Sequence, residues 1–265
     1  MPCIGSHFPR DSVRERLAGL IERVEERVGS SRGDSPESGR IGVFSPISDS
    51  DHAAPVLETG AIHEWFGEEG ARGEDWLPPL GALVDLARRA LSAQPDRWAL
   101  WIGRRCWPYP APRGSGPDPL GRSLFVDSQD PDARLWAIDL ALRSAAVGVV
   151  IADGSDLTMA ATRRLQLAAA SGRGAKALGL LARPAWEARQ LSAARTRWRI
   201  TPARSESGSP RWTIELLRRK GVRPAREAAP RFGAQWDHET GAMCVVCDVL
   251  DRSAAPEGSA TRRTA

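Results

Sequence analysis

Three segments carry almost no polar residue in their interior: "WALWIG" (98–103), "VGVVIAD" (147–153) and "AKALGLLA" (175–182). Runs of this length without alternation belong to strands covered on both faces. Segments of helical spacing stand between them. "LPPLGALVDLARRALSA" (77–93) predicts a helix beginning near Pro78 and Pro79. Asp130 caps a second with Pro131 at its first position, and Leu135, Ile138 and Leu142 fall on one face of it. "LTMAATRRLQLAAASG" (157–172) predicts a third, closed by Gly172. Strands also fit "AIHEWF" (61–66) and "SLFVDS" (123–128). Strands alternating with helices require a mainly parallel β-sheet flanked by helices, the α/β class.

The pattern changes after residue 194. In "RTRWRI" (195–200) Arg195, Arg197 and Arg199 alternate with Thr196, Trp198 and Ile200. In "RWTIELL" (211–217) Trp212, Ile214 and Leu216 take the inward phase, and the turn-rich "TPARSESGSP" joins the two. This predicts an antiparallel hairpin at the C-terminal edge of the sheet, with the arginines in a row on its solvent face. Charge is concentrated in the same region. Residues 163–231 hold 17 Lys/Arg against 4 Asp/Glu, while the rest of the chain holds 20 against 29. A basic C-terminal half suits an anionic partner, nucleic acid or an acidic protein face; it equally suits a solvated arginine-rich surface. Lysine occurs only at Lys176 and Lys220.

Four regions follow. Residues 1–28 contain an amphipathic helix, "DSVRERLAGLIERVEERV", with Val13, Leu17, Leu20, Ile21 and Val24 on one face and Asp11 or Ser12 as its cap. It packs on the body or docks a partner. Residues 29–56 are rich in Ser, Gly, Pro and Asp and read as a flexible linker. Residues 57–223 form the core. Residues 224–265 read as a weakly ordered tail. No apolar run approaches a membrane span and no secretory signal is visible, so a cytoplasmic protein is expected.

"AIHEWFGEEGARGEDW" (61–76) has the order of a phosphate-binding loop: strand, glycine-rich turn, helix. Gly67, Gly70 and Gly73 supply a turn. A nucleotide-hydrolysing loop also needs a Lys for the β/γ-phosphate charge and a Ser/Thr for Mg²⁺, and neither is present. Glu68, Glu69, Glu74 and Asp75 would repel phosphates at short range. Arg72 is the one cation placed to substitute. Asp153, ending "VGVVIAD", stands where a magnesium-holding carboxylate would be, or simply caps the loop after its strand. The loop reads as degenerate, with no cofactor and no catalytic residue expected.

Other candidates are weaker. Cys244 and Cys247 have half the spacing of a zinc site, but Cys3 and Cys106 are distant, so plain thiols are expected. Arg163 and Arg164 lie on a helix and suit DNA phosphate or an acidic partner, or form an ordinary exposed face. Trp98, Trp101, Trp136, Trp198 and Trp212 occupy inward or strand positions and read as core; Trp107 and Tyr109 in the Pro-rich loop are the surface candidates. The four histidines stand without catalytic partners.

The order of these elements resembles the ImuA-like branch of the RecA superfamily, the SOS-linked mutagenesis accessory proteins. "GAIHEWFG" looks like that family's first core strand and turn, and "RWALWIGRRCWPYP" like its second strand and the Pro-rich segment after it. "LWAIDLALRSAAVGVVIAD" is similar to the helix and carboxylate-ending strand. "TRRLQLAAASGRGAKALGLLARP" is the most specific match, and "AARTRWRITPA" with "PRWTIELLRRKG" resembles the paired C-terminal strands. The resemblance covers residues 57–223. It implies a RecA-like core and a non-catalytic role in DNA-damage-induced translesion synthesis. The implied partners are RecA, a Y-family-like polymerase homologue and an error-prone replicative-type polymerase. Gly103-Arg104-Arg105 stands where RecA proteins place a catalytic Glu, and the segments after 153 and 182, where RecA carries DNA-binding loops, are short. DNA as a partner therefore stays open. An ATPase binding single-stranded DNA and an SOS cell-division inhibitor are the alternatives.

Overall fold

The computed structural model describes residues 10–29, 39–42, 45–46, 56–69, 75–108, 119–172, 176–205, 208–221 and 231–246. The elements run α1 (Arg10–Gly29), β1 (Arg40–Gly42), β2 (Ser45–Pro46), β3 (Val56–Glu58), β4 (Ala61–Phe66), β5 (Glu68–Glu69), β6 (Trp76–Leu77) and α2 (Leu80–Ala93). Then come β7 (Trp98–Ile102), β8 (Ser123–Val126), α3 (Pro131–Arg143), β9 (Val147–Asp153), α4 (Met159–Ser171) and β10 (Leu178–Arg183). The chain closes with β11 (Thr196–Ala203), β12 (Arg211–Arg219), β13 (Arg231–Asp237) and β14 (Ala242–Val246).

One ten-stranded sheet has the order β2-β14-β13-β12-β11-β4-β10-β9-β7-β8. Strands β11, β4, β10, β9, β7 and β8 run parallel to their neighbours in that series, and β11 to β14 are antiparallel to one another. The fold is thus α/β, a mixed and mostly parallel sheet flanked by four helices, with the antiparallel hairpin on its C-terminal side.

Each face of the sheet carries its own core. On one, Leu83, Leu86, Ala87 and Leu91 of α2 cover Trp65, Trp101, Ile151, Leu180 and Trp198. On the other, α3 and α4 bring Ile138, Leu142, Leu165 and Ala169 against Ile62, Leu100, Val150 and Leu181. One helix start is as expected: the Asp130 side chain accepts from Ala133 N at 2.9 Å, with Pro131 beginning α3; at α4 the cap is Thr158, which accepts from Ala161 N at 3.2 Å. Gly172 does follow α4, but with φ −51°, outside the left-handed region that a glycine cap uses.

Helix α1 takes the first of its two expected roles, and two other expectations need correction. Helix α1 lies on the body, with Leu17 and Ile21 in the α3/α4 core, Val24 buried beside them on the same helix face, and Glu25 accepting a 2.6 Å hydrogen bond from Ser144. Within the span read as a linker, β1 pairs with β3 and β2 pairs with β14. Within 224–265, β13 and β14 continue the sheet beyond the hairpin, so 231–246 is not a weakly ordered tail.

Candidate functional site

The glycine turn after β4 is built around a close backbone approach. Gly67 donates its N–H to the Arg183 carbonyl at 2.9 Å, and a Cβ placed on Gly67 would stand 1.9 Å from the Leu77 carbonyl oxygen. Glycine is required there because β5 and β6 fold back as a short antiparallel pair, Glu68 opposite Leu77 and Glu69 opposite Trp76. Gly70, Arg72 and Gly73 lie outside the described residues. A phosphate cradle draws its donors from the N–H groups at the start of the next helix. Here that start is Pro78-Pro79-Leu80: two residues have no N–H, and Leu80 donates to the Pro78 carbonyl at 2.8 Å.

The volume beside this turn is apolar. A groove of about 150 Å³ is lined by Gly67, Leu77, Pro79, Ile200, Trp212 and Met243, among others, and Glu68 closes one wall. Burial raises the Glu68 pKa. Sequence reading did not find this groove, because Ile200, Trp212 and Met243 arrive from strands distant in the chain.

Asp153 is buried at the end of β9. Its Oδ1 accepts from Ser155 N at 3.0 Å and Ser155 Oγ at 2.6 Å, the geometry of a loop cap. Its Oδ2 faces Arg134 Nη1 at 3.5 Å and Arg105 Nε at 3.8 Å. Gly103, at φ +88°, lets β7 turn under it; a Cβ there would lie 2.9 Å from Asp153 Cβ. Cys106, on the same edge, is fully buried, and desolvation first and then the Asp153 charge push its thiol pKa well up.

The arginine row is not a solvent face. Arg197 is 5% exposed and binds Glu64 Oε2 through Nε at 2.6 Å. Glu64, wholly buried in β4, also binds Arg183 Nη1 at 2.7 Å through Oε1 and accepts from Ser192 Oγ at 2.6 Å. Arg183 in turn reaches Glu187 at 2.6 Å. Arg183 also donates to the Leu157 carbonyl at 3.1 Å and Gln190 at 2.9 Å. Two glutamates and two arginines thus neutralise one another with nearly every donor used, the condition under which buried charge is tolerated. The expected solvent face is covered at Arg197 by the Ala185–Arg189 segment, whose Ala188 and Glu187 carbonyls accept from its guanidinium at 2.9 and 3.3 Å. Arg195 and Arg199 do flank it half-exposed, paired with Glu58 at 2.9 Å and Glu215 at 3.6 Å. A glutamate in the middle of "AIHEWF" is the signal that could have found this cluster: it demands a buried cation.

His63, beside Glu64, is wholly buried. Its Nε2–H donates to the Glu58 carbonyl at 3.0 Å, and its Nδ1 meets the Thr196 hydroxyl at 2.7 Å, which itself accepts from Trp198 Nε1 at 2.6 Å. Desolvation pulls its pKa down to about 4.

The other surface candidates separate. Trp107 is half-buried, set edge-on against Phe125 with ring centroids 5.7 Å apart and packed on the α2-side core, so it is not a free stacking platform. Tyr109 and Cys247 lie outside the described residues. Cys244 is buried in β14. Arg164 binds Asp139 at 3.0 Å, leaving Arg163 exposed on the same helix. Burial raises the Asp139 pKa, but hydrogen bonds from Arg143 and Arg164 outweigh it and the net shift is downward. No described helix is long and apolar enough to cross a membrane.

No protein-family model matches the chain. Its relatives include the proteins named ImuA from two strains of Caulobacter vibrioides, NA1000 and CB 15. Each is 32% identical to it over 183 residues, spanning 63% of this chain and 73% of the relative. With identity at that level across nearly three quarters of those relatives' length, the chain belongs to the ImuA family.

Proposed function

We propose that this chain is a non-catalytic accessory protein of damage-induced translesion mutagenesis, working through contacts with other proteins. Membership of the ImuA family supports the pathway. One observation carries the non-catalytic part: the corner where phosphates would sit is closed by the Gly67–Leu77 approach and opens onto two prolines, an apolar groove and Glu68. A triphosphate brought there would meet a carboxylate, at a helix start whose first N–H groups are missing or used. Asp153, committed to Ser155, Arg134 and Arg105, serves as a structural cap. The partners in this reading are RecA, a Y-family-like polymerase homologue and an error-prone replicative-type polymerase.

Two measurements test it. Purified protein should show no ATP turnover above a blank, with or without single-stranded DNA; measurable DNA-stimulated turnover overturns the non-catalytic reading. Tagged protein from DNA-damaged cells, treated with nuclease, should still capture RecA or the mutagenesis polymerases. Asp153→Ala should capture them equally well. Loss of capture by a folded Asp153→Ala protein would show that Asp153 does more than cap a loop.

A further inference from the structure

Four large apolar side chains stand exposed at one border of the molecule: Met159 at 44%, Leu167 at 60%, Trp186 at 44% and Leu191 at 76%. Met159 and Leu167 lie on α4 at positions i and i+8, with Arg163 between them at i+4, a stripe about 12 Å long. Trp186 belongs to a short 3₁₀ turn, Ala185–Arg189, that follows β10, and Leu191 to the segment after it. Hydrogen bonds hold the two parts side by side. Asp156 N donates to Glu187 Oε1 at 2.8 Å, three residues before Met159 and one after Trp186. Ala193 N donates to Thr162 Oγ1 at 3.1 Å, two residues after Leu191 and beside Arg163. The buried Arg183, bonded to Leu157 O and Gln190, braces both from beneath.

The charge on this border differs from that around it. Arg134, Arg164, Arg183 and Arg197 are all committed to carboxylates. Arg163 and Arg189 are exposed, and neither makes an ion pair among the described residues. Exposed Trp, Met and Leu interleaved with unpaired Arg is the composition of a protein-binding patch with charge left to be complemented. Nucleic acid fits less well: three of the four exposed apolar groups are aliphatic and offer no stacking face.

We infer that the border formed by α4 and the 185–191 turn docks an acidic amphipathic helix of a partner protein. Its apolar anchors lie along Met159, Leu167, Trp186 and Leu191, and its carboxylates meet Arg163 and Arg189. The inference rests on the reading of the chain as a contact protein and names the surface and the chemistry of one contact.

The test is a displayed library of random 16-residue peptides, selected on the full-length protein and counter-selected on Trp186→Ala/Leu191→Asp. The double variant is first checked for an unchanged thermal midpoint; if it melts early, Leu191→Ser replaces it. Enriched peptides should be acidic with apolar residues three and four apart. As labelled synthetic peptides they should bind the variant roughly tenfold or more weakly. Arg163→Glu/Arg189→Glu should slow their association and remove its salt dependence. Peptides without acidic bias, or binding both proteins equally, overturn the inference. So does a labelled oligo-dT that binds wild type and not the variants, which would assign the border to single-stranded nucleic acid. If the same variants still capture the polymerases from nuclease-treated extract, the inference fails and the contact reading stands. If wild type captures no protein at all, that reading fails whatever the peptides do.

Discussion

Arg183, the last residue of strand β10, and Arg163, on the helix α4 that precedes it, do opposite things. Arg183 is wholly buried, its guanidinium shared between Glu64 and Glu187, with the Leu157 carbonyl and Gln190 completing its bonds. Arg163 stands in solvent without a described ion pair. The basic surplus of residues 163–231 contains both kinds, so a count of charges cannot say how much of it faces a partner. The described structure answers residue by residue. Arg183 and Arg197 are internal scaffolding, Arg195 and Arg199 are flank pairs, and only Arg163 and Arg189 on this border are left to recognise anything.

Four changes would break or sharpen that contrast. The largest effect should come from Arg183→Met or Glu64→Gln. Either strands buried charge, at a cost of about 3–5 kcal/mol. Urea unfolding measures it, and a loss under about 1 kcal/mol would mean the cluster is hydrated and no different from the surface.

Next is acid. His63 is neutral and buried with its pKa lowered to about 4, against an ordinary value of 6.5. Between those two values the unfolded chain takes up a proton that the folded chain refuses. Stability is therefore full above about pH 6.5 and is lost as pH falls towards 4, by up to roughly 3 kcal/mol. Comparing wild type with His63→Gln at pH 7 and pH 4.5 isolates the effect, since the variant should lose correspondingly less.

Gly67→Ala comes third, at about 1–3 kcal/mol, because the added methyl meets the Leu77 carbonyl. The thermal midpoint reads it. An unchanged midpoint would mean that β5 and β6 separate easily and that the corner can open. The smallest change is Arg163→Glu/Arg189→Glu, expected to stay within about 0.5 kcal/mol of wild type by the same unfolding assay. A large loss there would make these arginines structural as well.

The parallel half of the sheet was legible because its strands are buried on both faces and therefore apolar throughout; β7, β9 and β10 follow the runs that announced them. The antiparallel half was not. A period of two in "RTRWRI" says that two faces differ, but which face meets water depends on the neighbours, and β4 lies more than 120 positions away in the chain. Strands β13 and β14 stayed hidden because their places in the sheet come from their neighbours, β12 for β13 and both β13 and β2 for β14, rather than from their own pattern. The glycine turn reads as lacking the Lys and Ser/Thr of a phosphate loop, but the reason for Gly67 itself, a carbonyl 1.9 Å from where its Cβ would be, appears only when β6 folds back.

The glutamate at the centre of β4 also bears on the order in which the chain assembles. Its two arginines follow it by 119 and 133 residues. Contacts at such separations form late, after loop closure has been achieved by other means. Until then Glu64, Arg183 and Arg197 stay hydrated, and a mis-registered sheet would trap one of them in the dry interior without its partner. We expect the cluster to be nearly absent from the folding transition state, so that weakening it accelerates unfolding and leaves the folding rate almost unchanged. In that sense the four charges act as a final check on strand register, and as the latch that holds the finished sheet closed.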